Sequence, residues 1–413
     1  MRAFLCRWLR AEPHELPALG WAFAYFFLLL CSYYLLRPVR DSLAVETGAQ
    51  GLQWLFTATF VAMLLLVPVF GWLCSWFSRK KLLPIVYGFF ALNLLAFSLW
   101  MESRVFFVWL SVFNLFVVSV FWSFMSDLFS ARQAARLYGT IAAGGSCGAI
   151  AGPLLAALLS SRIHSSGLLL LAAALLVGTI GCIAMLSRWA RAHPRAGDAP
   201  PEEPIGGSIL AGMKAALTSP FLLAICGYLF CYTALSTALY FQQVEIVREA
   251  IPDRDARTRF FASLDLLVNG LTLLVQLLAF SRLAALLGPT GMLAAMPLVS
   301  IAGFLWLGAT PTLVALVAFG VTRRVGEFAI SKPSREALFT IVPREERYKA
   351  KNFIDTVVYR GGDAAAGWLF AGPAAFLAAG LSVLWTALAV FLGTRMKSWS
   401  GEVSSQPSLQ RPS

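Results

Sequence analysis

Ser331-Lys-Pro-Ser-Arg-Glu-Ala-Leu-Phe339, Pro343-Arg-Glu-Glu-Arg-Tyr-Lys-Ala-Lys-Asn-Phe-Ile-Asp355 and Thr356-Val-Val-Tyr-Arg-Gly-Gly-Asp363 follow closely on one another in an otherwise apolar chain. The stretch begins where one long apolar run ends and continues into the next. It carries six Lys/Arg between Lys332 and Lys351 and then places Asp355, Arg360 and Asp363 in a segment that reads as membrane-spanning. A charge at the bilayer centre costs about 2.5–3.5 kcal/mol on insertion scales. Such residues therefore pair, face a bundle interior or line an aqueous path.

The surrounding sequence sets that context. Of 413 residues, 59% are hydrophobic and 13% charged, with a mean hydropathy of +0.73. A soluble domain is about a quarter charged. The composition therefore predicts an all-α polytopic membrane protein. Spans need about 17–25 apolar residues, and twelve such windows occur: 16–36, 52–77, 82–101, 105–125, 138–159, 167–186, 220–241, 260–281, 289–309, 311–330, 353–371 and 373–392. The expected organisation is a six-helix bundle over 1–193, a cytoplasmic linker over 194–219, a second six-helix bundle over 220–398 and a disordered cytoplasmic tail over 399–413. Within the linker, 208–217 reads as a short amphipathic surface helix. The stretch 332–351 reads as a basic loop.

The seven cysteines lie mostly in apolar runs, without metal spacing, and there are three histidines. Neither a disulfide framework nor a metal or other cofactor is expected. The first apolar run continues into Tyr33-Tyr-Leu-Leu-Arg37 without a small-residue cleavage site, so it reads as a span rather than a cleaved signal. The net charge of +12 reflects loop asymmetry rather than binding to a nucleic-acid polymer. With twelve spans, 22 of the 33 Lys/Arg fall on the side of both termini and 7 on the other. The positive-inside rule then places both termini in the cytoplasm.

The halves repeat. Tyr138-Gly-Thr-Ile-Ala-Ala-Gly-Gly145 and Ile354-Asp-Thr-Val-Val-Tyr-Arg-Gly361 each open a span after a basic stretch, and Tyr33–Asp41 resembles Tyr240–Glu249. Two parallel six-helix repeats are the architecture of the major facilitator class. Gly144, Gly148 and Gly152 place small residues at i, i+4 and i+8, which suits close helix packing.

Polar residues within the spans are the candidate site. Span ten holds Arg323, Arg324 and Glu327. The glutamate can pair with Arg323 at i,i+4 or Arg324 at i,i+3, and one carboxylate cannot neutralise both. The alternative is a structural gate or inter-helix pair. Span eleven holds Asp355, Tyr359 and Asp363 in register, with Arg360 able to satisfy Asp363. Span eight carries Asp265, Asn269, Thr272 and Gln276 on one face, the pattern of a cavity wall, with helix packing as the alternative for Asn269 and Gln276. Tyr232 and Tyr240 share a face of span seven, suited to stacking on a base or to ordinary packing. Arg37-Pro38-Val39-Arg40-Asp41 sets two guanidiniums three apart around a proline expected to break the helix, a site suited to phosphate or to interfacial snorkelling.

At these residues the chain resembles the ATP/ADP translocase (nucleotide transporter) family, as a bacterial member related to the major facilitator superfamily. Leu36-Arg-Pro-Val-Arg-Asp41 is similar to the family's Leu-Arg-x-x-Lys-Asp. Phe121-Trp-Ser-Phe124 with Ala135-Arg-Leu-Tyr138 is similar to its Phe-Trp-Gly-Phe and Ala-Lys-Arg-Phe-Tyr pieces. Val244-Glu245, Lys332-Pro-Ser-Arg-Glu336 and Lys351-Asn-Phe-Ile-Asp355 with Arg360 match three further pieces. The resemblance implies nucleotide exchange by alternating access and carries a substrate role onto Arg40 and Glu245. The acidic residue of span four is absent, leaving Asn114 as its polar position, and Asp363 stands where the family has a basic residue.

The reading is a secondary transporter, not an enzyme. It is expected to work as a monomer, exchanging ATP and ADP or another phosphorylated anion at a site between rocking halves. The substrate-binding residues are Arg37, Arg40, Glu245, Arg323, Arg324, Glu327, Asp355, Tyr359, Arg360 and Asp363. Asn114, Asp265, Asn269, Gln276, Tyr232 and Tyr240 line the cavity. The alternatives are a proton-coupled carrier of another metabolite, with Asp265 or Asp363 as proton site, and a non-transporting scaffold or sensor. No Gly-x-x-x-x-Gly-Lys-Ser/Thr loop is present, which argues against ATP-driven pumping.

Overall fold

The computed structural model describes residues 12–76, 79–193, 217–339, 353–370 and 374–405, and all regular structure among them is helical. In order come α1 (Leu16–Trp76), α2 (Arg79–Leu99), α3 (Ser103–Leu128), α4 (Ala131–Leu159), α5 (Ser165–Ala192), α6 (Pro220–Ala250), α7 (Arg254–Leu278), α8 (Phe280–Ala309), α9 (Leu313–Gly326), a π-turn (Glu327–Ser331), α10 (Lys332–Leu338), a second π-turn (Ile354–Val358), α11 (Tyr359–Leu369) and α12 (Ala375–Ser405). Among the described residues, eight stretches are long and apolar enough to cross a membrane, and Gln50–Leu66 and Leu83–Leu99 are shorter apolar helices. With the two helices interrupted by π-turns, the described residues are consistent with a twelve-helix fold.

Three local expectations change. Pro38 does not break α1. The helix runs through it to Gly48, whose φ of +69° marks the break. One proline costs a single backbone bond, and a membrane helix tolerates that. A left-handed φ favours glycine, and a Cβ at Gly48 would also lie 3.0 Å from Arg248 Nη1. Second, the basic stretch expected as a loop from Lys332 begins instead as α10. Residues 340–352 lie outside the described residues, as do 194–216, which hold most of the linker. Third, α12 continues to Ser405, because the next proline is Pro407.

The chain divides into two compact units. The first comprises Met1–Thr47, Val61–Glu202 and Ile251–Asn269; the second comprises Gly48–Phe60, Glu203–Ala250 and Gly270–Ser413. Thus α1 and α7 each contribute to both. The first unit is built on aromatic packing. Phe26 stacks on Phe121 at 4.2 Å, Tyr25 meets the same ring edge-on at 4.8 Å, and the Tyr25 hydroxyl donates to Tyr87. In the second unit the fully buried Tyr228 and Trp385 rings lie 5.4 Å apart, and Phe304 packs edge-on to Phe319 at 4.9 Å.

The glycine stripe of α4 meets the backbone of α1. A Cβ at Gly144 would sit 2.5 Å from the Phe23 carbonyl oxygen, one at Gly152 2.7 Å from that of Cys31, and one at Gly148 closer still to that of Phe27. Such contacts need bare backbone. Gly148→Ala is expected to destabilise the purified protein by about 1–3 kcal/mol through overpacking. Gly139→Ala, with nothing within 4 Å, should leave the melting temperature unchanged. Equal melting temperatures for the two variants would contradict the close approach.

The chain entering α1 is tied to the start of α4. Glu15 Oε1 accepts from Gln133 Nε2 at 2.8 Å and Arg136 Nη2 at 3.0 Å, and Oε2 accepts from the Glu12 backbone at 2.8 Å. Gln133 is itself fixed by the Ser130 capping box. Glu12, His14 and Glu15 have ligand atoms within 4.8 Å of one another, but Arg136 bridges both carboxylates and supplies the positive charge there. Burial pushes the Glu15 carboxyl up. The Glu12 N–H, Gln133 and Arg136 outweigh it and hold the carboxyl below its ordinary value of 4.5. A depressed carboxyl contributes stability above its unfolded value, and that stability is lost as pH falls through the folded one. The difference in melting temperature between wild type and Glu15→Gln should therefore be constant above about pH 5 and shrink below it. A difference independent of pH down to about 3 would contradict these bonds.

Candidate functional site

In the second unit, charge gathers around Tyr232 of α6. Arg323 of α9 is 4% exposed. Its Nε donates to Ser300 Oγ at 3.3 Å, Nη1 to Ser236 Oγ at 3.1 Å and Nη2 to the Tyr232 carbonyl at 3.2 Å. Its guanidinium also lies 5.5 Å from the Tyr232 ring centroid and 5.9 Å from that of Trp385. All three acceptors are neutral. Glu327 pairs neither with Arg323 nor with Arg324, as its spacing suggested. Its Oε1 accepts from Arg335 Nη1 at 3.2 Å, and the Arg335 guanidinium lies 5.7 Å from the Tyr232 ring centroid.

Helix geometry explains the change of partner. In a straight α-helix eight residues advance about 800°, leaving Arg335 about 80° off the face of Glu327. The π-turn at Glu327–Ser331 inserts an extra residue. This cancels about 100° of rotation, so Arg335 returns to within about 20° of Glu327. Arg323, Glu327 and Arg335 then share one stripe. Pro333 follows the turn and has no N–H to give to a regular ladder.

A second group lies on α6 and α11. Asp363, buried, accepts from Thr237 Oγ1 at 3.2 Å and faces Arg360 Nη1 at 3.5 Å. Arg360 lies over the Tyr359 ring, whose centroid is 6.0 Å from that of Tyr232. Arg324, at the neighbouring position of α9, is half-buried and so more open than Arg323. The side chain of Asp355 lies outside the described residues, although its backbone forms part of the second π-turn.

The first unit contains a cluster of its own. Arg37 Nε lies 3.6 Å from Asp265 and 4.0 Å from Asp41, and Arg40 holds Asp41 through Nη2 at 2.7 Å and Nε at 3.0 Å. Arg40 also lies over Phe107 at 5.0 Å. Ser42 Oγ, donating to the Arg254 carbonyl at 3.0 Å, holds α1 to the start of α7.

The remaining expected residues do not join these clusters. Glu245 pairs with Arg248 at 2.6 Å, at the open end of α6. The polar face of α7 is divided: Asn269 donates to the Ala149 carbonyl at 2.6 Å, and Gln276 donates to the Phe328 carbonyl at 3.1 Å. Both bonds run from α7 to the backbone of another element. Tyr240 packs edge-on to Phe56 at 5.8 Å, and Asn114 is half-buried on α3. Sequence reading did not place Arg335, Ser300 or Thr237 among the candidate residues. The signal for Arg335 was Pro333, which disturbs the helix count just before it.

The comparisons agree with this architecture. No curated protein matches the sequence. Solved structures that share the fold include three transporters. A bacterial homologue of the iron transporter ferroportin in an inward-facing state has a TM-score of 0.65 at 10% identity, covering 92% of this chain and 98% of its own. A bacterial homologue of the human lysosomal transporter Spinster gives 0.60 at 15%, covering 92% and 95%. The nucleoside transporter NupG gives 0.61 at 13%, covering 92% and 99%. The profile of the Major Facilitator Superfamily matches residues 22–362. Through that match the chain belongs to the Major Facilitator Superfamily, as a multi-pass transporter of a small-molecule solute rather than an enzyme.

Proposed function

We propose that this transporter carries a phosphorylated anion, a nucleotide of the ATP/ADP type, by exchange. The observation that carries the reading is Arg323, a deeply buried guanidinium whose hydrogen bonds among the described residues go to neutral acceptors. A buried cation of this kind is costly without an anion, and a guanidinium fork matches phosphate oxygens. Tyr232 and Trp385 hold that guanidinium in place with their aromatic faces, at 5.5 and 5.9 Å. The resemblance of Leu36–Asp41 and Lys351–Asp355 to nucleotide transporters supports the same substrate class.

A second reading is a proton-coupled carrier, favoured by the burial of Asp363 beside Thr237 and Arg360. Uptake of labelled ADP by energised membrane vesicles, with and without an uncoupler, separates the two. Exchange predicts uptake that persists under the uncoupler and depends on nucleotide inside. Uptake abolished by the uncoupler and indifferent to internal nucleotide would favour proton coupling. No flux of any solute, with a stable protein partner, would indicate a scaffold.

A further inference from the structure

The Arg323–Glu327–Arg335 stripe contains more than one cation. Arg335 is 6% exposed and Glu327 4%, so both are buried beside Tyr232. Glu327 uses only one carboxylate oxygen for Arg335; its Oε2 is buried and accepts no hydrogen bond among the described residues. A buried, unsatisfied carboxylate oxygen is costly. A buried ion pair that leaves such an oxygen is weakly favourable at best. Across the stripe, Arg323 is held by neutral groups. Two guanidiniums therefore share one carboxylate, and that carboxylate is bonded to only one of them.

We propose that Arg335 is a second anion-binding residue and that Glu327 is a resident carboxylate, occupying Arg335 in place of the solute's anionic group. The ligand is a tetrahedral oxyanion, free phosphate or the phosphate of a nucleotide, with enough oxygens to meet both Arg323 and Arg335. On binding it displaces Glu327 from Arg335. No covalent bond changes. The π-turn is what makes the competition possible, because it brings Arg335 onto the face of Glu327. This inference rests on the anion reading of the same site.

The test is titration of the purified full-length protein with ADP and with inorganic phosphate, followed by thermal shift, for wild type, Glu327→Gln and Arg335→Gln. Removing the competitor should lower the half-saturating concentration for both probes about tenfold in Glu327→Gln, the equivalent of one lost charge-assisted hydrogen bond. Arg335→Gln should raise it by about tenfold or more on the same scale. Glu327→Gln binding no tighter than wild type, or as weakly as Arg335→Gln, would overturn the competitor role. A Glu327→Gln variant that fails to fold is replaced by Glu327→Ala/Arg335→Lys, in which the competitor is gone and a cation remains. Binding tighter than in Arg335→Lys alone is expected, and equal binding overturns the role. Tighter phosphate binding in Glu327→Gln without any nucleotide binding would keep this inference and remove the nucleotide reading. Wild-type nucleotide binding unaffected by Glu327→Gln would do the reverse. Neither probe binding any variant would remove both. Response to ADP alone assigns the site to the nucleotide, and response to both assigns it to the shared phosphate chemistry.

Discussion

Arg323→Ala is expected to lower solute flux by about a hundredfold or more while the protein still inserts and purifies as a single species. Hydrogen bonds to charged groups are worth about 1.5–3 kcal/mol each, and about 1.4 kcal/mol is tenfold in affinity. Loss of a two-pronged contact to a phosphate therefore accounts for the drop. The same change removes the bonds to Ser300, Ser236 and the Tyr232 carbonyl, which hold α8 and α6 to α9. Some fall in melting temperature accompanies it. Arg323→Lys distinguishes the two effects: it keeps the charge and loses the planar fork. It should retain measurable flux with a raised half-saturating concentration. Near-normal flux in Arg323→Ala would make the guanidinium a structural tie only.

The second large effect concerns the first unit. Arg37→Ala removes the cation 3.6 Å from Asp265, whose side chain is 2% exposed. Removing one partner of a buried ion pair costs about 3–5 kcal/mol, since the remaining charge stays desolvated. Arg37→Ala and Asp265→Ala should each lower stability by about this much. The double variant should be less destabilised than the sum of the singles by more than about 1 kcal/mol, as coupled neighbours are. Additive losses in melting experiments would contradict the pairing. Because Arg37 already faces two carboxylates, flux measured on the folded fraction should fall less than in Arg323→Ala.

The charged positions 323, 327, 360 and 363 were legible in the sequence because a charge in an apolar run has few uses. The glycine stripe at 144, 148 and 152 was legible for a similar reason: small residues at fourfold spacing suit backbone contact. Arg335 was not legible. It stood in a run of basic residues, and in a straight helix its spacing from Glu327 points to the wrong face. Only the π-turn corrects that count. Pro38 was read as a break because proline alone signals one, whereas the break falls at Gly48, where the backbone needs a positive φ. Asp265 and Asn269 looked alike on one face of α7. Their roles separate in three dimensions, one joining an ion-pair cluster and the other tying α7 to α4.

Exchange of a phosphorylated anion is tested most directly by counterflow. Proteoliposomes carrying the purified protein are preloaded with ATP, ADP, phosphate or buffer, and uptake of labelled ADP from outside is followed. Rapid uptake is expected into nucleotide-loaded vesicles and little into those loaded with buffer, with the difference lost in Arg323→Ala. Uptake that is the same whatever the vesicles contain, or none at all, would contradict exchange.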